Sequence, residues 1–167
     1  GMLSFAPGTM KRTRAIDILD KAKIHYEIRE FDASEFTVEE TADRLGLPLN
    51  VLFKTLVVAG ERKGLVMALV PGDAQLSLSK LAKAMGDKRC AMIEVDDLFR
   101  VTGYLKGGCS PLGAKKSFPV YLDVTALAYE RISVSAGLRG VQMLLNPDDL
   151  KTIARATVAD LRDMTVT

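Results

Sequence analysis

Apolar positions along this chain recur first at helical spacing and then in alternation. Ile16, Leu19 and Ala22 stand among charges, which predicts a helix from about Met10 to Ala22, and Tyr26-Glu-Ile-Arg-Glu-Phe31 alternates as a strand does. Thr37-Val-Glu-Glu40 has the form of a capping box, opening a short helix that Gly46 and Pro48 stop. The apolar, β-branched runs Leu52 to Ala59 and Gly64 to Val70 flank Gly60-Glu-Arg-Lys-Gly64, which predicts a hairpin with a charged turn.

Ser77 or Ser79 is placed to cap a helix through Met85 that Gly86 ends, and Cys90 to Val95 reads as a further strand. Asp96 or Asp97 then caps a short helix up to Thr102. Val120 to Leu122, Ile132 to Ser135 and Val141 to Leu145 read as strands, and Asn146-Pro-Asp-Asp149 opens a last helix to about Ala156. Hairpins mixed with irregularly placed helices predict an α+β single domain with a central mixed, partly barrel-like sheet surrounded by helices.

At 167 residues, 48% of them hydrophobic, the chain suits one core. Residues 1–10 read as a tail whose Gly1-Met2 resembles a tag-cleavage scar, and residues 11–167 read as the domain. No apolar run is long enough for a membrane span and no signal-peptide pattern opens the chain, so a cytoplasmic setting with Cys90 and Cys109 reduced is expected. The net charge of +2 gives a polyanion little general attraction. Basic character is local, at Lys11, Arg12 and Arg14, at Lys80, Lys83, Lys88 and Arg89, and at Lys115 and Lys116; solvated faces are the plain reading of each cluster.

Candidate chemistry centres on Gly103-Tyr-Leu-Lys-Gly-Gly-Cys-Ser-Pro-Leu-Gly-Ala-Lys-Lys116. This segment cannot be a regular helix, and its glycines let backbone N–H groups approach a ligand closely. It narrowly misses a phosphate-binding P-loop, because Ala114 displaces the lysine that should follow Gly113. His25 is the sole histidine and lies far from both cysteines, so neither a zinc site nor a Ser-His-Asp triad is expected, and no metal or cofactor is called for. Strand alternation puts Lys54 on the face of Leu56 and Val58, where it must snorkel, find a partner or lose proton affinity by desolvation.

Three blocks in order, Phe53-Lys-Thr-Leu-Val-Val58, Thr102 to Lys116 and Val134-Ser-Ala-Gly-Leu-Arg-Gly140, make nearly the whole chain resemble the YbaK/EbsC family of aminoacyl-tRNA deacylases, which is related to the editing insertion domain of bacterial prolyl-tRNA synthetases. The resemblance implies removal of a wrongly attached amino acid, most characteristically cysteine from tRNA(Pro). Cysteine is close to proline in size, and a synthetase pocket rejects a near-isostere poorly by packing alone.

The resemblance further implies roles for particular residues. Lys54 matches the family's functional lysine and would hold the aminoacyl end or the terminal adenosine, while Gly107 and Gly108 would offer N–H groups to the ester carbonyl. Ser135 matches a position near the bound aminoacyl-adenosine. Tyr104 either borders the terminal base or packs beneath the loop, and Ser110 either shapes the site or stabilises the turn. No protein nucleophile is implied, since in cysteine-specific members the substrate's own thiol attacks its ester.

Departures from the family pattern bear on substrate identity. Phe31 stands where tyrosine is usual, Ala33 replaces a histidine, and Cys109 occupies a position that is often aliphatic, as a small buried hydrophobe or a nucleophile. The expected partner is the aminoacylated acceptor end of tRNA(Pro), with prolyl-tRNA synthetase as a possible source of tRNA selectivity. The alternatives are a deacylase for alanine or another small residue, and a non-catalytic module that binds tRNA ends or a synthetase.

Overall fold

The computed structural model describes residues 12–32 and 37–163. The tail and scar at 1–10, Lys11, the helix start at Met10 and the departure at Ala33 lie outside the described residues.

Local capping chemistry sets most element boundaries. Helix α1 (Arg14–Lys21) starts at Thr13, whose hydroxyl accepts from the Ile16 N–H at 3.1 Å, and it buries Ala15, Ile16 and Leu19 on one face. Strand β1 (Tyr26–Glu30) follows, and α2 (Val38–Leu45) starts at Thr37 and ends at Gly46 in the left-handed region, as its capping box predicts. Strands β2 (Phe53–Gly60) and β3 (Gly64–Pro71) form the expected antiparallel hairpin. Ser77 caps α3 (Leu78–Met85), which Gly86 closes at φ 75°.

Strand β4 (Cys90–Met92) is shorter than its apolar run suggests because the chain turns at Glu94 into α4 (Val95–Thr102). Glu94, and neither Asp96 nor Asp97, holds the N-cap position; both aspartates sit in the first turn, where their charge suits the helix dipole. After the glycine loop come β5 (Val120–Asp123), β6 (Ile132–Leu138), β7 (Val141–Leu145), α5 (Pro147–Ala154) and β8 (Thr157–Ala159). Asn146 caps α5 by accepting from the N–H groups of Asp148 and Asp149, and Arg155 ends it in the left-handed region at φ 52°.

The strands form two sheets where one central sheet was expected, and neither closes into a barrel. One is antiparallel with order β1-β7-β6; the other is mixed with order β4-β2-β3-β5-β8. Phe53, Val57, Met67, Leu69 and Leu122 from the mixed sheet meet Tyr26, Ile28, Val134, Met143 and Leu145 from the other in the main core. The opposite face of the hairpin packs Val58, Val66, Ala68 and Val70 against Leu81 and Met85. The apolar run of β3 thus lies between two apolar layers, which is why it does not alternate.

The sheets approach each other at a single bridge between Leu52 and Ser133. Beyond it no pairing joins β2 to β6, and β6 itself loses register with β7 between Ser135 and Leu138, around Gly137 at φ 104°. The gap between these two strands is the site.

Candidate active site

A cleft of about 290 Å³ opens where β2 and β6 part. Phe53 to Val57 of β2 form one side, Ser135 and Gln142 the floor, Val38 and Thr41 of α2 one end, and Ile93, Glu94, Val95 and Leu98 with the loop residues Lys106, Gly107 and Cys109 the remaining walls. Four residues singled out in the sequence, Lys54, Gly107, Cys109 and Ser135, therefore meet here from three distant segments.

The loop is clamped in place by a backbone turn and by an arginine from outside it. Leu105 O accepts from the Gly108 N–H at 2.9 Å with Gly107 at φ 85°, the signature of a type II turn with glycine at its third position. Arg139 Nε donates to Lys106 O at 2.8 Å, anchoring the turn to the β6–β7 connection. A Cβ on Gly108 would lie 3.1 Å from Arg139 N and 3.3 Å from Leu138 C, so a side chain there would have to push two backbone segments a few tenths of an ångström apart.

These contacts revise one reading of the loop and favour one alternative for two other residues. The Gly108 N–H is used within the turn, so it is not a donor to a ligand; Gly107 and Cys109 have the N–H groups without a partner among the described residues. Tyr104 is buried beneath the loop, its hydroxyl donating to Leu112 O and its ring against Gly137, so it does not border the cleft. Ser110 is fully buried and accepts from the Leu112 N–H at 3.3 Å, a turn-stabilising contact. Phe31 also stands outside the cleft lining, packed with Ala42, Leu45 and Leu52, its N–H donating to Gly140 O at 2.9 Å.

Lys54 is half-buried and has no hydrogen bond or ion pair among the described residues. Burial lowers its pKa from the ordinary lysine value, and the distant charge of Glu39 offsets this only in part. A desolvated cation without a counter-ion stores free energy that an anionic ligand releases. Burial likewise pushes the Cys109 thiol up to about 12. A thiol held there stays protonated at neutral pH, and Cys109 packs as a small hydrophobe within the main core.

Two polar residues missed in the sequence complete the floor and wall. Gln142 is buried; its Oε1 accepts from the Ser133 hydroxyl at 2.8 Å, which leaves its Nε2 amide to donate into the cleft. Ser135 accepts from the Gly137 N–H at 3.1 Å and retains its O–H for a ligand. The Thr55 hydroxyl lines the cleft, is buried, and has no partner among the described residues. A buried hydroxyl left unpaired costs about 1–3 kcal/mol, a cost that a polar group of a ligand in the cleft would offset. The sequence signal for Gln142 was a lone polar residue inside Val141-Gln-Met-Leu-Leu145; Thr55 gave none.

Among the described residues no three His, Cys, Asp or Glu side chains stand together to hold a metal ion. His25 is exposed in the bend between α1 and β1. No helix among the described residues is long and apolar enough to cross a membrane. The cleft thus offers half-buried Lys54, exposed Lys106 and Glu94 at its walls, two free backbone donors and the polar groups of Thr55, Ser135 and Gln142 within an apolar lining, a set suited to holding a small polar ester and stabilising charge on its carbonyl.

Known proteins share this arrangement of elements. The chain is 41% identical over 155 residues, 92% of its length and 94% of the relative's, to EbsC of Enterococcus faecalis, named as a candidate Cys-tRNA(Pro)/Cys-tRNA(Cys) deacylase. It is 41% identical over 80 residues, 48% of its length, to the proline–tRNA ligase of Thermosipho africanus, of which it covers only 14%. The crystal structure of a candidate trans-editing enzyme for prolyl-tRNA synthetase superposes with a TM-score of 0.82 at 28% identity, covering 96% of this chain and 99% of that one. The family model of the aminoacyl-tRNA editing domain matches residues 32–153, a stretch containing every cleft residue described above, and the chain belongs to that family.

Proposed function

We propose that this aminoacyl-tRNA deacylase clears cysteine from tRNA(Pro) by positioning the substrate for attack by its own thiol. The observation that carries the reading is a cleft with an unpaired, half-buried cation and free backbone donors in which the only thiol is protonated. Such a site stabilises charge but contains no activated nucleophile.

In this reading the substrate sulfur bonds to the ester carbonyl carbon, the carbon–oxygen bond to the ribose breaks, and the thiol proton ends on the ribose oxygen. The products are a cyclic thioester of cysteine and tRNA with a free hydroxyl. The N–H groups of Gly107 and Cys109 face the carbonyl oxygen as negative charge develops, and Lys54 holds the aminoacyl end. Ser135, Gln142 and Thr55 hold the amino group and ribose hydroxyls. Similarity to EbsC and to part of a proline–tRNA ligase supports the choice of tRNA(Pro), and a cytoplasmic setting is part of this proposal.

The apolar wall of Leu52, Phe53, Ile93 and Leu98 would accept alanine equally well, so the amino acid is decided by chemistry rather than fit. The purified protein should release cysteine from Cys-tRNA(Pro) well above the buffer rate and release alanine or serine from the same tRNA far more slowly. Equal rates on alanine would replace the thiol-assisted reading with plain ester hydrolysis. Release of none of them would sink the deacylase reading and leave a binding module.

Thr55 offers a second check. Thr55→Val keeps the shape and removes the unpaired hydroxyl, so the protein should become about 1 kcal/mol more stable while kcat/KM falls roughly tenfold. A variant with lowered stability and full activity would show that Thr55 is paired in the folded protein and serves no substrate.

A further inference from the structure

A second depression, of about 380 Å³, lies on the far half of the glycine loop and differs from the cleft in charge. Arg14, Lys115, Lys116 and Arg155 line it over apolar residues that include Phe118 and Ile153, and no carboxylate does. All four cations are exposed, and none forms an ion pair among the described residues. A chain with a net charge of only +2 thus gathers four unopposed positive charges in one groove. The third large depression is the reverse, with Glu39, Asp73 and Asp163 beside an arginine, Arg162, that faces buried Asp123.

These cations come from separate parts of the fold: the start of α1, the end of the loop and the C-terminus of α5. Arg155 occupies a left-handed cap position where glycine or asparagine is usual, at φ 52°. The groove adjoins the cleft. Cys109 lines one and Pro111 the other, and two residues span at most about 7 Å. From the groove, Lys115 extends its Nζ to 5.7 Å from the centre of the Phe99 ring, on the same helix whose Val95 and Leu98 wall the cleft. That ring is 54% exposed, leaving aromatic surface for a further stacking partner.

The apolar cleft, the exposed aromatic ring and the unopposed cationic groove are neighbours through the glycine loop and α4, and the geometry points to a single RNA strand as their occupant. Resting on the deacylase reading, we infer that the aminoacylated end enters the cleft, a neighbouring base stacks on Phe99, and the following phosphates lie along Lys115, Lys116, Arg14 and Arg155. Bases supply the π faces that a phenylalanine takes, and phosphates the charge that four free cations attract. An acidic protein surface would satisfy the cations and leave Phe99 unexplained.

The test compares two substrates and two sets of variants. In the triple variant Lys115→Gln, Lys116→Gln, Arg155→Asn, asparagine retains the left-handed cap. Its kcat/KM on aminoacyl-tRNA should fall at least tenfold while cleavage of a 3′-aminoacyl-adenosine stays within twofold. Binding of uncharged tRNA, followed by fluorescence anisotropy between 50 and 200 mM salt, should lose roughly 0.7 in log–log salt slope for each cation removed. Phe99→Ala should weaken tRNA binding without changing that slope.

Equal loss on both substrates, an unchanged salt slope, or the same loss from Lys83→Gln with Lys88→Gln on the opposite cluster would overturn the proposal. So would a variant that binds tRNA normally but no longer binds purified prolyl-tRNA synthetase. A wild-type protein that cleaves neither substrate refutes the deacylase reading instead, while the salt slope still tests the groove.

Discussion

Lys54→Met should lose about 10²–10³ in kcat/KM on Cys-tRNA(Pro) and melt no earlier than the wild type. Methionine keeps the length and removes the charge, and a single charged donor aimed at the reacting group contributes on that scale. The stability half follows from burial. The Lys54 ammonium is half desolvated and unpaired, so its pKa in the folded chain lies below that in the unfolded chain. Below the folded pKa both states carry the proton and the folded state bears the full desolvation penalty. As pH rises through the folded pKa towards the unfolded value the penalty disappears. The methionine variant should therefore gain most in Tm at neutral pH and least at strongly alkaline pH.

The same sign governs activity. The cation exists below its pKa, so the rate should fall on the alkaline side earlier than an ordinary lysine would titrate, and Lys54→Arg should move that limb to higher pH. A methionine variant with wild-type turnover would remove Lys54 from the mechanism. One that melts many degrees lower would make Lys54 a structural residue.

Much of this architecture is written in short-range chemistry. Thr37, Ser77 and Asn146 cap helices because a side-chain oxygen three residues before a free N–H is a local matter, and Gly46 and Gly86 end helices because only the left-handed region closes them there. The hairpin from Phe53 to Pro71 follows from two apolar runs and a five-residue charged link for the same reason. What the sequence did not disclose depends on distant partners. Strand β8 has three residues and exists because β5 offers a parallel edge, with Asp123 accepting from the Leu161 N–H at 2.8 Å just beyond it. The separation into two sheets and the irregularity of β6 against β7 after Ser135 are likewise matters of pairing between distant segments, which no period of apolar residues reports.

The site divides in the same way. Lys54, Gly107, Cys109 and Ser135 were recognisable from their blocks, and the cleft brings them together. The alternation Ile132-Ser-Val-Ser135 marks one polar face, which on an ordinary antiparallel sheet would meet water. Here Ser133, Ser135 and Gln142 on that face are all buried, so a pattern that normally means surface instead lines the cleft floor. Gly108 was misplaced for a related reason, while Tyr104 and Ser110 took the packing and turn-stabilising alternatives that their residue types had left open. Which donors a glycine loop keeps free depends on the sign of each φ, and Gly108 lost its N–H to Leu105 once Gly107 turned to φ 85°.

That difference between adjacent glycines yields the last prediction. Gly107→Ala places a Cβ at a φ of 85°, at a cost of about 1–2 kcal/mol that the turn relieves by rotating the Lys106–Gly107 peptide. Rotation swings the Gly107 N–H away from the carbonyl it would serve and pulls Lys106 O from Arg139 Nε. An interaction made chiefly in the transition state is then lost, so kcat should fall about 10²-fold with KM little changed. Gly108→Ala acts by another route: its Cβ meets backbone atoms at 3.1 and 3.3 Å, which yield only by moving the loop and the β6–β7 connection apart by a few tenths of an ångström. The donors survive but are displaced, and about a tenfold loss, shared between kcat and KM, is expected. Steady-state kinetics on Cys-tRNA(Pro), with Tm measured alongside, separates the two. If Gly108→Ala proves the more damaging in kcat at equal stability, Gly107 is not the donor and the oxyanion must be met by Cys109 alone.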